Sequence, residues 1–415
     1  MEVKPGFRQT EVGAIPNDWE VRRLGEGIKL LSGQHVLAQH CNTDGDGVAY
    51  ITGPADFPNG AIQHSKYTTR PGTFCRSNDI LVTVKGSGAG TVVLSNAEYC
   101  ISRQLMAARV VSWNTQFVYF AVLGDCSLFG AVATGLIPGL SRSDVLGKAI
   151  PLPPTEVEQE TIAAALSDAD ALIESLEQLV AKKRSLKQGT MQELLTGRKR
   201  LAGFSEKWKV KLLDDLFDFS GGFSASRDQL SLEGIPYLHY GDIHGSSKNH
   251  IDVHAEGHDL PKLKVPLSSV SSSALLEDGD VVFVDASEDD EGTSRHVAII
   301  NKCGLPYISG LHTIVAKSKT DELEHSYRRF CFQTTELTKQ FRFFAVGTKV
   351  SGISKKNIAR VTISIPSAPS EQRAIAAILS DMDAEITALE VKRAKARQIK
   401  QGMMQVLLTG RIRLI

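Results

Sequence analysis

The chain contains no run of about 18 apolar residues, so no transmembrane helix is expected. Residues 1–10 are charged and polar with no apolar stretch, which argues against a secretory leader and leads us to expect a cytoplasmic protein. Cysteine is sparse: Cys41, Cys75, Cys100, Cys126, Cys303 and Cys331 are scattered, with no Cys-x-x-Cys pair. That pattern excludes a disulfide framework or zinc knuckle and fits reduced thiols. An excess of charge is missing too, since 47 basic residues balance 47 acidic ones. Nucleic-acid binders usually advertise a basic excess, although a balanced total can hide segregated patches.

Catalytic signatures are also lacking. No Gly-x-x-x-x-Gly-Lys-Ser/Thr loop occurs, so no ATP-driven motor is encoded. There is no Asn- or Asp-Pro-Pro-aromatic motif for adenine methylation, and no acidic cluster spaced for cleavage. The Gly-rich run at 86–90 lacks the dinucleotide-binding form and a following helix, and reads as a turn between strands. His250, His254 and His258 have the spacing of helical zinc ligands. Ile251, Val253 and Gly257 argue against that helix, so an exposed polar loop is expected and no metal site. These absences point to a chain without catalytic chemistry and without a cofactor of its own.

What is present is a repeat. The 44 residues at 158–201 and those at 371–414 align without a gap at an offset of 213, and 28 positions are identical. The echo reaches back through Gly139-Leu140-Ser141 and Gly352-Ile353-Ser354, and through the Ile-x-x-Pro runs at 150–153 and 363–366. Each half also opens with Trp-x-Val-x-x-Leu, at Trp19 and at Trp208. A period of this length is too long for a solenoid, so each half is a domain with an appended element.

The appended element is helical. Ile162, Leu166, Ala169, Ile173, Leu176 and Val180 recur at spacings of 4 and 3, as do Ile375, Leu379, Met382, Ile386 and Leu389. Helices are predicted from about Glu158 to Leu195 and from about Glu371 to Leu408. Gly189 and Gly402 interrupt them, and a kink or a close approach is expected there. Such a seam needs a partner. Both helices are acidic in their first half and basic in their second, so an antiparallel pair sets opposite charges together. A solvated charged face without pairing is the alternative.

Residues 13–150 and 203–363 read as short strands between turns. The strands at 79–84 and 280–284 match in layout, whereas the loops after them differ in sequence. One repeated frame therefore presents two different heads.

The opening Gly13-Ala14-Ile15-Pro16-x-x-Trp19-x-Val21, the Ile-Pro-Leu-Pro-Pro run at 150–154 and the twin Glu-Gln … Leu-Leu-Thr-Gly-Arg-x-Arg-Leu helices resemble the specificity subunits of type I restriction-modification enzymes. The resemblance covers nearly the whole chain. It implies an α+β fold: two similar mixed α/β target-recognition domains separated by a long antiparallel two-helix coiled coil with pseudo-two-fold symmetry. The corresponding boundaries are 1–152 and 202–366 for the domains, and 153–201 and 367–415 for the spacer regions. It also implies double-stranded DNA as ligand, one half of a split asymmetric site for each domain. Two methylation subunits and restriction subunits would be partners, with S-adenosylmethionine, ATP and Mg bound on them.

Candidate DNA contacts are Lys85, Ser87, Arg103, Arg142 and Lys148 in the first half, and Lys349, Lys355 and Lys356 in the second. For each of these, phosphate contact competes with plain solvation. Arg295 and His296 could read a guanine edge or simply end a loop. The acidic run at 285–291 would repel phosphates and face away, or a carboxylate in it could accept from cytosine N4. A two-headed coiled-coil adaptor for other proteins is the competing reading.

Overall fold

The computed structural model describes residues 5–86, 88–124, 139–244, 248–257, 260–287, 295–347 and 351–414. The chain divides into two compact units: Met1–Gln178 with Glu390–Ile415, and Leu179–Leu389. Each unit thus contains a head, the first part of one long helix and the last part of the other.

In the first unit, the strands Val92–Leu94, Ile80–Thr83, Leu105–Val110 and Ile28–Ser32 form an antiparallel sheet in that order. A second sheet runs Cys41–Asn42, Tyr67–Thr68, Val48–Ile51, Tyr99–Ile101, Phe74–Cys75, with a parallel pair at Val48–Ile51 and Tyr99–Ile101. The second unit repeats the plan. One sheet runs Phe217–Gly221, Thr313–Ser318, Val281–Val284, His296–Ile300, His250–Asp252, and the other Leu230–Ser231, Lys262–Leu263, Ile235–Leu238, Ile308–Ser309. In both units the central strand is rich in β-branched residues and buried along its whole length, at Ile80–Thr83 and at Val281–Val284. The turn before each needs a left-handed residue: Asn78 at φ 67° in one, Gly279 at φ 83° in the other.

A two-stranded ribbon joins each head to its helix: Glu20–Arg23 with Ala149–Leu152, and Lys209–Leu212 with Thr362–Ile365. The helices then run unbroken over Glu156–Leu194 and Pro369–Leu407, beginning two residues before the predicted starts and ending one before the predicted ends. The close approach expected at the glycines is not found. Both helices continue through Gly189 and Gly402, and a Cβ at either would meet nothing within 4 Å, so no backbone approaches there. The seam residues Ile162, Leu166, Val180, Ile375, Leu379 and Ile386 are buried, and Ala169, Ile173, Leu176, Met382 and Leu389 are half-buried.

Within each unit the start of one helix packs on the end of the other, which is the antiparallel arrangement the charges predicted. Ile162, Ala163 and Leu166 share a core with Leu407 and Leu408 in the first unit, and Ile375, Ala376 and Leu379 share one with Leu194 and Leu195 in the second. The charges meet as expected. Lys400 reaches Asp170 at 2.6 Å in the first unit, and Lys187 reaches Asp383 at 2.5 Å in the second. These are the same pair by the 213-residue offset. Among the described residues, no helix is long and apolar enough to cross a membrane.

Candidate nucleic-acid interface

Several loops of the first head meet at one end of its sheets. Arg142 lies on the short helix Arg142–Leu146, capped by Ser141, whose hydroxyl accepts from Asp144 N. Its guanidinium donates to Ser32 Oγ at 3.0 Å and to the Leu30 carbonyl at 3.1 Å. The next residue along that strand's path, Gly33, abuts the carbonyl of Ser102, where a Cβ would overlap it. The Gln104 carbonyl accepts from Val84 N, and the Val84 carbonyl accepts from Leu140 N. Lys85 pairs with Gly139 through a β-bridge. Lys85, Arg103 and Arg142, far apart in sequence, therefore sit on one connected set of loops, all three exposed.

The second head builds the same cluster from different side chains. Gly222 abuts the Gly310 carbonyl. The His312 carbonyl accepts from Asp285 N, the Asp285 carbonyl accepts from Ile353 N, and Ala286 pairs with Gly352. By these bonds Val84 corresponds to Asp285, Lys85 to Ala286, Arg103 to Leu311, Gln104 to His312 and Arg142 to Lys355. Lys355 Nζ lies near Gly221, so both heads keep a cation at the end of the same strand. The ring of His312 stands 3.3 Å from Asp285 Oδ1 and packs edge-on against Tyr240 at 5.5 Å.

Sequence reasoning missed the clamp that, in each unit, joins the start of one long helix to the segment following the other. Glu158 and Glu371 have side chains only 1% exposed. Arg413 donates to both oxygens of Glu158 at 2.7 and 2.6 Å, and Arg200 to both oxygens of Glu371 at 2.7 and 2.8 Å. Beside each glutamate a buried glutamine ties the helix to its head. Gln159 donates to the Pro153 carbonyl and accepts from Asn114 N, while Gln372 donates to Pro366 and accepts from Glu324 N. The repeated Glu-Gln and Arg-x-Arg ends are thus two halves of one bidentate ion pair, built once in each unit. The signal was present as identity across the repeat, but charge sign alone did not say which groups meet.

The Type I restriction modification DNA specificity domain matches this chain twice, over residues 16–182 and 205–400. The chain belongs to the type I restriction-modification DNA specificity family. It is similar to the type I restriction enzyme MjaVIII specificity subunit of Methanocaldococcus jannaschii, at 24% identity over 98% of this chain and 96% of that one. It is 31% identical over 208 residues to the putative type I restriction enzyme MjaX specificity subunit of the same organism. That match covers 47% of each chain, so it spans about half the length of that relative. The fold resembles the crystal structure of a type I restriction-modification system S subunit from M. genitalium, with a TM-score of 0.59, 16% identity and 98% of both chains covered. DNA recognition is therefore the role of the family, and the adaptor reading is set aside.

Against this family background the predicted contacts separate. Lys85, Arg103, Arg142, Lys355 and Lys356 are exposed. Lys148 is only 6% exposed, just before the ribbon strand Ala149–Leu152 and with its carbonyl accepting from Leu24 N, and the surface reading of it is corrected. His296 is likewise inside: it is 8% exposed and packs on Phe283 and Phe332. A ring so enclosed does not present an edge to guanine. Arg295 is half-buried and donates to the His244 carbonyl, so it fastens a loop. Ser87 and Lys349 lie outside the described residues.

The polar-loop reading of the histidines is also corrected. His250 is half-buried on a strand and His254 is exposed on the short helix Val253–Glu256, while His258 lies outside the described residues. Among the described residues, no group of three or more His, Cys, Asp or Glu side chains could hold a metal ion. In the acidic run, Asp285 belongs to the loop cluster and Ser287 is buried, and residues 288–291 lie outside the described residues. The Gly-rich turn behaves as read, with Gly86 and Gly90 both at φ 94° and Gly90 N donating to Thr83 O.

Proposed function

We propose that each head reads one half of a split, asymmetric double-stranded DNA site with its loop cluster, and that the chain supplies specificity without catalysis. Lys85, Arg103, Arg142, Lys355 and Lys356 then position phosphates, and neighbouring exposed groups that differ between the clusters, such as Gln104 against His312, select bases. Two methylation subunits and restriction subunits carry the chemistry, with S-adenosylmethionine, ATP and Mg on them, in the cytoplasm. The observation that supports this reading is the contrast within each unit. The frame of strands, ribbon and clamp is the same, while equivalent exposed positions on the loops carry different chemistry.

The test is to map DNA methylation in cells that carry this chain with its methylation subunit. A split motif of two short, different half-sites at fixed separation is expected. A stable assembly that modifies no defined site would refute the proposal.

A further inference from the structure

We infer that the two heads grip DNA by different physics: the first mainly through phosphates, the second through an apolar contact to base edges. This rests on the reading that the loop clusters face DNA. At equivalent cluster positions the first head has Lys85 and Arg103 where the second has Ala286 and Leu311, and only the Arg142 position keeps a cation, as Lys355. Of three exposed cations in the first cluster one is kept in the second, and Lys356 stands beside it where the first head has Ser143, so the second cluster carries fewer cations. Asp285, within 3.3 Å of the His312 ring, lowers the appeal of that cluster to phosphates further.

The second cluster has an apolar edge. Gly352, which pairs with Ala286, also pairs with Val346. Val346 follows the helix Thr335–Phe344, which ends in Phe343 and Phe344. Phe343 is 81% exposed and Val346 75% exposed. Phe344 differs, since the Arg360 guanidinium sits 5.1 Å over its ring and its carbonyl accepts from Asn357. Through Gly352 the exposed pair is therefore continuous with the segment that leads into the short helix Lys355–Ala359. The apolar feature a base pair offers in the major groove is the 5-methyl group of thymine. Phe343 and Val346 contact thymine methyls in the second half-site.

The experiment measures DNA affinity as a function of salt, using the full chain assembled with its methylation subunits and the mapped site. Each phosphate neutralised contributes about 0.9 to the slope of log affinity against log salt. The triple variant K85A/R103A/R142A should lower the slope by about 2 to 3, and K355A/K356A by less, about 1 to 2. F343S/V346S should weaken binding by roughly 5-fold or more at every salt concentration, with the slope unchanged. F343L, which keeps an apolar contact, should retain most of the affinity. Equal slope losses from the two heads would overturn the inference. So would F343S/V346S losing the methylation subunits while DNA affinity holds, because the apolar edge would then belong to a protein interface. If the unaltered assembly binds no split site at all, the underlying DNA reading fails, a result separate from either of these.

Discussion

In the first head the buried carboxylate of Asp79 receives two bonds from Arg109, at 2.9 and 2.7 Å. In the second head Asp280, in the same place after the same kind of turn, meets the single ammonium of Lys317 at 3.0 Å. Both aspartates also accept a backbone N–H from three residues earlier, Arg76 in one head and Glu277 in the other. Burial pushes the Asp280 carboxyl up from its ordinary value, against the pull of the Glu277 N–H and the Lys317 ammonium. A planar guanidinium matches a carboxylate bidentately, whereas an ammonium is a point charge. The frame thus preserves the pair and changes its strength. On the loop clusters the exchange goes further: exposed Lys85 and Arg103 are replaced by half-buried Ala286 and Leu311.

The largest effect should come from the clamps, where the heads are alike. Arg200→Ala and Arg413→Ala each leave a buried glutamate uncompensated, and each should lower stability by about 3 kcal/mol in denaturant unfolding. Comparable losses would sharpen the comparison, and a loss in only one unit would break it. The aspartate pairs come next, where the heads differ. Arg109→Met should destabilise by about 2–3 kcal/mol, and Lys317→Met by less, because the Asp280 carboxyl is already biased toward its neutral form. Equal costs would show that the two pairs are energetically the same.

The smallest effect is confined to the second unit. Burial, reinforced by the Arg329 guanidinium, pushes the His250 imidazole pKa down, and burial with Arg227 does the same for His239. The folded unit therefore takes up these protons at lower pH than the unfolded chain does. The stability they support is complete above the ordinary imidazole value of about 6.5 and is lost as pH falls through it. Melting midpoints recorded from neutral to mildly acid pH should decline, and the decline should be shallower in His250→Gln. An unchanged profile would remove His250 from the account.

The helices and their antiparallel sense were legible in the sequence because a heptad seam and a split of charge are local, periodic signals. The clamp was not, since Glu158 and Arg413 stand 255 positions apart, and among many surface charges sign alone selects no partner. The loop correspondences were hidden for another reason. The helices align at an offset of 213, but Asp79 and Asp280 are 201 apart and Arg109 and Lys317 are 208 apart, so unequal loops shift the register within the heads. Lys148 and Lys85 look equivalent as sequence. Only the packing around the ribbon strand buries one and leaves the other exposed.

The most direct test of the central claim is to map the methylated motif for Gln104→Ala and, separately, for the corresponding His312→Ala, both exposed on the loop clusters and both assembled with the methylation subunit. The account predicts that each change alters or weakens selection in one half of the split motif and leaves the other half intact, with the two variants affecting opposite halves. Both halves changing together, or the same half responding to both variants, would contradict it.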